Sequence, residues 1–512
     1  MAGMITTPIP LRMAESRDEV TGACGARVVD FIVLQLNDVY DAMAVEGGRR
    51  GGLARVATLR RQLAEENPNL LAVLVGDFLA PSAISAVTGD CGLHMIEALN
   101  AMGLTHVTMG NHEFDLPEAE LRQRIAESEF KWVVSNVKDG RGAPFDRVDE
   151  RDVVTFENRR GDAVRVALLG FCIDLVKKPW LRYQGPIESA RQQLAALGDG
   201  ADVVVAMTHL SMAEDRELGT EVPRLDVLLG GHEHEAARAF VGADTTPIFK
   251  ADSNARSAFV HRFRFDAETR TTLLFSEIVQ IDASLAEEPK TAEVVRRWRD
   301  ITFASLRAQG TEPLQIVGRT AVPLNGREGD LRRQPTNLGQ MIAEAFLAEV
   351  PGADGVILPA GQIRIDGVIP PGEILAFDIV RIFPLGGKLS ALRMPGNILR
   401  ALLDGGAASV GQGGFLIRAN IDAAGEGGWM IAGAPLIDDR SYTIVGAEFP
   451  AAALAHPPFK GSGTSKLYDT REMRAILTDR LRRDLVGSPA TGQDSAPSES
   501  GLSRTGSSST SD

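Results

Sequence analysis

Cysteine is scarce in this chain, and so are long apolar runs. The three cysteines, Cys24, Cys91 and Cys172, are odd in number, widely spaced and form no Cys-x-x-Cys pair, which argues against a disulfide framework and reads as buried or incidental thiols. No window holds 18 uninterrupted apolar residues, and the first thirty residues, "MAGMITTPIPLRMAESRDEVTGACGARVVD", contain no apolar h-region. The expectation is a protein with no signal peptide and no membrane span, working in the cytoplasm. Basic residues are outnumbered, 54 Lys and Arg against 68 Asp and Glu, a formal net charge of −14. That argues against a general nucleic-acid binder and leaves room only for a local cationic pocket. Histidines number eight, few enough for their placement to carry information.

What is present is ordinary in bulk. A hydrophobic content of 44% and a charged content of 24% suit a soluble globular protein, and 512 residues are too many for one core, so two domains are expected. From residue 28 to 283, apolar runs bounded by turn residues ("FIVLQL", "LLAVLVGD", "HVTMGN", "WVVSNV", "VRVALLGF", "DVVVAMTH", "DVLLGGH", "PIFKADS") read as strands. Between them "GGLARVATLRRQLAEEN" and "GDCGLHMIEALNAMG" have helical spacing, and the alternation predicts a layered α/β domain whose strands are covered on both faces. Residues 284–311 predict a linker helix and 312–485 a second, smaller α/β domain. Residues 1–27 read as a flexible N-terminal segment, and the Ser/Pro/Gly-rich residues 486–512 as a disordered tail.

Several strands of the first domain end in residues able to bind metal: Asp38, Asp77, Asn111 with His112, His209, and His232 with His234. Four of the eight histidines fall in these few stretches, beside Gly76, Gly110, Gly230 and Gly231, which let the backbone turn tightly so that side chains converge. Singly, each has a plainer reading. Asp38 after a strand is ordinarily a turn or N-cap residue, and a lone histidine is more often a satisfied structural one. Together they describe a pair of divalent cations, about 3.5–4 Å apart in two-metal hydrolases, with mixed N/O ligands that suit Zn, Mn, Fe or Co. Such a pair lowers the pKa of bound water and neutralises charge on a phosphoryl group. His94, His106, His261 and His456 lie outside these stretches and receive no role.

The set D-x-Y, GD, GNHEFD, TH and GHEH, in this order, resembles the calcineurin-like metallophosphoesterases, and within them the two-domain 5′-nucleotidase / 2′,3′-cyclic-nucleotide phosphodiesterase family. "GGLAR", "GDFLAPSAIS" and "SNV" extend the resemblance, and "TNLGQMIAEAF", "PAGQIR", "IPPGEI" and "IFPLGG" carry it into the second domain. The resemblance implies a four-layer β-sandwich flanked by helices, plus a smaller α/β C-terminal substrate domain. It implies that Asp77 bridges two cations, that Asp38 and His234 with Tyr40 or water complete one site, and that Asn111, His209 and His232 complete the other. His112, oriented by Asp115, is then no ligand but stabilises the transition state and protonates the leaving group. The implied activity is hydrolysis of a phosphoric ester by metal-bound hydroxide.

Tyr40 stands where a histidine ligand is usual. A phenol ligates only as phenolate, from an ordinary pKa of about 10; it could equally hydrogen-bond a ligand, or simply pack. The second domain offers Arg364, whose fork suits phosphate oxygens, and Phe415, Asn420 and Phe449 as candidates for holding a substrate base. The family's Gly-Gly-Asp-Gly segment is absent. A nucleotide is the first expectation; the alternatives are a phosphodiesterase or pyrophosphatase acting on a non-nucleotide metabolite, and a metal-stabilised binding protein without turnover.

Overall fold

The computed structural model describes residues 11–22, 27–243, 245–448 and 458–487. In the first domain two sheets face each other. One has eight strands, in the order 11–13, 271–280, 257–266, 28–36, 70–75, 106–108, 131–133 and 148–149; the other has six, in the order 151–157, 163–172, 203–209, 227–230, 246–250 and 237–241. Between them lies an apolar layer in which Phe31, Val33, Val73 and Phe263 meet Leu168, Val205, Leu229 and Phe249. Helices Leu53–Glu66 and Leu93–Met102 cover the outer face of the first sheet with Val56, Leu59, Met95 and Leu99. Helices Pro186–Leu197 and Met212–Glu221 cover the second with Ala190 and Leu218. The result is the four-layer arrangement expected. Continuous aliphatic runs such as Val203–Met207, buried at every residue, are what a strand covered on both faces requires.

Register places the site. Leu36 lies opposite Leu74 in the first sheet, and His209 opposite Cys172 and Thr208 opposite Gly230 in the second. The C-terminal ends of these parallel strands therefore open on one edge, where crossover connections leave a crevice.

The second domain is built on a five-stranded sheet in the order 416–419, 355–359, 441–447, 388–395 and 465–472. Helix Asn337–Glu349 packs Ile342 and Phe346 on one face together with Ile476 and Leu477, while helix Gly396–Ala408 packs Leu399 and Leu403 on the other. Between the domains runs helix Pro289–Ala308, capped by Glu288, whose carboxylate accepts from the amides of Lys290 and Thr291. Its Val294 and Val295 lie on the first domain's core, and its Phe303 and Leu306 pack with Phe377 and Val380 of the second. Of the N-terminal segment, residues 11–22 are among the described residues. Leu11–Met13 adds a parallel strand to Thr271–Gln280, because Leu11 and Met13 have the inter-sheet core to pack against. The tail from 488 onward lies outside the described residues.

Three of the histidines without a role are structural. His94 is held between Asp90 (2.8 Å) and Ser82 (3.2 Å), His106 binds Asp152 (2.9 Å), and His261 lies between Ser276 (2.8 Å) and Gln35 (2.9 Å). His456 lies outside the described residues. Burial, helped by Arg238, pushes His261 down to about 3, whereas the unfolded chain takes up that proton near 6.5. The unfolded state thus binds more protons in between, and stability is lost as pH falls from about 6.5 toward 3. Between pH 6.5 and 5 the group's share is about 2 kcal/mol. In urea melts at pH 7 and pH 5, His261→Phe is expected to start less stable, since Gln35 and Ser276 lose a partner, yet to lose about 2 kcal/mol less on acidification. Parallel losses in both proteins would remove His261 from the acid response.

Candidate metal centre

Three of the expected ligands sit in backbone conformations that L-residues avoid. Asp38 (φ 53°), Asp77 (φ 56°) and His232 (φ 77°) are left-handed, a strain that persists only where the surroundings impose it and that concentrates at functional sites. The crowding is visible at the glycines. A Cβ on Gly110 would lie 2.1 Å from Asp77 Oδ1, and one on Gly76 2.5 Å from His209 Nδ1, so the loops bearing the ligands can approach only because these residues have no side chain.

The side chains converge. Asp38 Oδ2 accepts from Asn37 Nδ2 and from the His232 amide, both at 2.9 Å, which leaves Oδ1 aimed inward. Asp77 Oδ1 accepts from the His112 amide (2.8 Å) and Oδ2 from the Tyr40 hydroxyl (2.9 Å). His209, fully buried, donates from Nδ1 to Val75 O (2.9 Å) and so presents Nε2 to Asp77 at 3.2 Å. His234 Nε2 lies 3.4 Å from Asp38 Oδ1 and 3.2 Å from the Tyr40 hydroxyl. Ligands about 2.1 Å from a shared cation are themselves about 3.0–3.4 Å apart, and most of these separations fall there.

Whether the residues fit a cation is decided by their unpaired atoms. Asp38 Oδ1, Asn111 Oδ1 and His209 Nε2 are buried without a hydrogen-bond partner, and Asp38, Asp77 and His209 each offer a ligand atom within 4.8 Å of the others. Buried polar atoms are otherwise nearly always paired, because leaving one unpaired costs about 1–3 kcal/mol. Unpaired buried atoms on Asp38 and His209, two members of that cluster, are what a divalent cation would satisfy. The charges agree. Burial alone would raise the Asp77 carboxyl, but His209 and His112 hold it far below the usual carboxylate range. Burial lowers a histidine, yet Asp77 and Asp38 lift His209 to about 10, while burial and the neighbouring His209 hold His232 at about 4. Tyr40 is at the site, half-buried beside Asp77 and His234. Burial, with the charges of Asp77 and Asp38, pushes its phenol well above its ordinary value, so under the protein's own charges it is a neutral donor to Asp77.

His112 is placed differently. In the 3-10 turn His112–Asp115 its Nδ1 meets Asp115 Oδ2 at 2.6 Å, and its Nε2 faces Arg364 Nη2 of the second domain at 3.3 Å. Arg364 also lies over the Tyr40 ring, 6.0 Å from its centroid. A cavity of about 460 Å³ opens beside the centre, lined among others by His232, His234, Glu328, Arg332, Arg333 and Gln412.

Two candidate substrate residues have contacts within the second domain. Phe415 packs on the second domain's core and its amide binds Gln412 O. Asn420 is exposed, with Nδ2 bound to Asp354 O. Neither lines the cavity beside the centre. Phe449 lies outside the described residues. Sequence reasoning also missed Glu113. Its buried carboxylate accepts from the amides of Asp77 (2.8 Å), Phe78 (2.8 Å), Leu79 (3.2 Å) and Gly110 (2.6 Å), clamping two ligand loops together. A glutamate inside "GNHEFD", next to ligands yet not one itself, was the available signal. Lys250 was missed as well: fully buried, it pairs with Asp215 (2.7 Å) and Glu233 beneath the GHEH loop.

Comparison with known proteins agrees with this arrangement. Residues 31–236 match the calcineurin-like phosphoesterase domain and residues 316–455 the 5′-nucleotidase C-terminal domain. The chain is 25% identical over 428 residues to the trifunctional nucleotide phosphoesterase protein YfkN of Bacillus subtilis, covering 75% of this chain but only 28% of that protein. It is 23% identical over 487 residues to protein UshA of Yersinia enterocolitica, covering 83% of this chain and 86% of that one. A 5′-nucleotidase precursor from Thermus thermophilus shares the fold, with a TM-score of 0.71 at 19% identity, covering 89% of this chain and 96% of that one. No helix among the described residues is long and apolar enough to cross a membrane. The chain belongs to the calcineurin-like metallophosphoesterases that carry a 5′-nucleotidase C-terminal domain, and is a metal-dependent phosphoester hydrolase of that family.

Proposed function

We propose that the protein hydrolyses the phosphate ester of a small nucleotide, most directly a 5′-nucleotide, using two divalent cations. Asp38, Tyr40, Asp77 and His234 would surround one, with Tyr40 either ligating or orienting Asp77, and Asp77, Asn111, His209 and His232 the other. Bound there, such ions supply Lewis-acid charge that neutralises phosphoryl oxygens and activates water.

The observation that carries the reading is the His112–Asp115 pair facing Arg364 across the domain boundary beside these ligands. Arg364 presents guanidinium N–H groups suited to phosphate oxygens and holds the phosphoryl group against the centre. Asp115 fixes the His112 ring by its Nδ1, so that a proton at Nε2 is directed at the ester. Water oxygen forms the new P–O bond and releases one proton to solvent, the P–O bond to the alcohol breaks, and His112 Nε2 delivers its proton to the departing oxygen and regains one from solvent. A site that only stored metal would have no use for such a dyad.

The cavity is within the usual size of small-molecule sites, about 300–1,000 Å³. One feature of it favours a second reading: its described lining includes no Phe, Tyr or Trp ring to stack on a base, which suits a phosphorylated metabolite without one. Assays of metal-loaded protein against 5′-nucleotides, 2′,3′-cyclic nucleotides, pyrophosphate and sugar phosphates separate the two. The nucleotide reading expects kcat/KM at least about tenfold higher on 5′-nucleotides, about 1.4 kcal/mol of transition-state preference. Equal or better turnover of sugar phosphates or pyrophosphate would transfer the assignment to the second reading, and no turnover of any ester would return the chain to a binding role.

A further inference from the structure

His234 differs from the other residues of the centre in what holds it. His209 is oriented by Val75 O, within its own domain. The Nδ1 of His234 instead meets Asp366 Oδ2 at 2.9 Å, from the second domain and 132 positions along the chain. Asp366 belongs to the segment between the 3-10 turn Ala360–Gln362 and the strand Val368–Ile369. It is 4% exposed and left-handed, with φ 35°. Its carboxylate is fully engaged: Oδ2 also accepts from Ser253 Oγ of the first domain, Oδ1 accepts from the Glu328 amide at 2.9 Å, and Arg256 Nη2 stands 3.9 Å away. Glu328 Oε1 adds a second carboxylate 3.4 Å from His234 Nδ1.

The Asp366 carboxylate accepts from Ser253 Oγ and from the Glu328 amide, and it meets His234 Nδ1 as an acceptor too. His234 Nδ1 must therefore carry the hydrogen, which turns the lone pair of Nε2 toward Asp38 Oδ1 and the Tyr40 hydroxyl, the side where a cation would lie. Carboxylates that grip the far nitrogen of a ligating histidine fix its tautomer and raise its basicity, and their loss weakens metal affinity by about 10–100-fold. We propose that Asp366 is a positioning residue of the metal centre, through which the second domain completes one of the two cation positions of the first. The inference rests on the metal reading above. It adds that the two positions are unequal: the one built on His234 requires the docked second domain, and the one built on His209 does not.

The test is titration of full-length, metal-stripped protein with Zn²⁺ against a chromophoric chelator, counting equivalents and their affinities in wild type, Asp366→Ala, Asp366→Asn and Arg381→Gln. Arg381 forms another bridge across the domains, to Asp41 at 3.0 Å, and does not touch His234, so Arg381→Gln removes a cross-domain contact while leaving the Asp366 grip on His234 in place. Expected are two equivalents in wild type and a loss of about 10–100-fold at one of them in Asp366→Ala. Asp366→Asn, whose amide oxygen can still accept from Nδ1, falls between, and both equivalents persist in Arg381→Gln. Unfolding curves of Asp366→Asn, the same size as the parent, guard against misfolding. Unchanged affinities in Asp366→Ala, or equal weakening of both positions by Asp366→Ala and Arg381→Gln, would overturn the proposal while leaving the metal reading intact. A wild type that takes up no cation would overturn both.

Discussion

Asp77→Asn is expected to lose bound metal and turnover together, with kcat/KM down by about 10³-fold or more. The magnitude follows from the several kcal/mol that cations contribute to stabilising transition-state charge in phosphoryl transfer, where each 1.36 kcal/mol is tenfold. The geometry explains why an isosteric change suffices. Asp77 Oδ1 accepts from the His112 amide, and Oδ2 accepts from the Tyr40 hydroxyl and faces His209 Nε2, so both oxygens work as acceptors toward three groups. Asparagine offers one oxygen and a donating amide, and whichever way it turns, a donor meets a donor or a positive imidazole. The loss of charge falls where it matters most, in the carboxyl that His209 and His112 hold far below its usual range. Elemental analysis beside initial rates checks the result. Metal content retained with activity lost would move Asp77 out of the ligand set, and undiminished turnover would remove it from the mechanism.

The centre was legible in the sequence to the extent that its parts are local. Apolar runs end at Asp38, Asp77, His209 and His232 because parallel strands covered on both faces must be apolar and must stop where the chain turns, and the register then carries those endings to one edge. Neither periodicity nor motif spacing announces a contact made over a long separation. Asp366 reaches His234 across 132 positions, and the Glu113 carboxylate works by collecting backbone amides, which every sequence has. Lys250 reads as an ordinary strand residue until its burial against Asp215 and Glu233 is seen. Whether an aromatic beside glycines faces a cleft or a core depends on the loop's path, which no local pattern shows; Phe415 packs partly buried against the second domain's core. Tyr40 was legible as a residue at the centre. Its standing as a neutral hydrogen-bond donor depends on burial and on the charges of Asp77 and Asp38, which appear only with the fold.

His112→Ala is expected to keep its metal and lose about 10²–10⁴-fold in turnover, the usual contribution of positioned acid–base groups. The retention of metal follows from which part of His112 supports the ligands. Its backbone amide, not its ring, holds Asp77 Oδ1, and that bond survives truncation at Cβ, while Glu113 continues to clamp the loops of Asp77 and Gly110. The ring makes its contacts outward, to Asp115 at 2.6 Å and toward Arg364 at 3.3 Å. Its loss therefore removes the proton source and exposes Arg364 without disturbing the cluster of Asp38, Asp77 and His209. The leaving group distinguishes proton delivery from simple charge stabilisation. A nitrophenolate departs without protonation, whereas the alkoxide of a nucleoside does not. If His112 donates a proton, the variant's loss is at least about tenfold smaller on p-nitrophenyl phosphate than on a 5′-nucleotide. An equal loss on both esters would leave His112 stabilising the charge on the phosphoryl group, and loss of metal would make it a ligand after all.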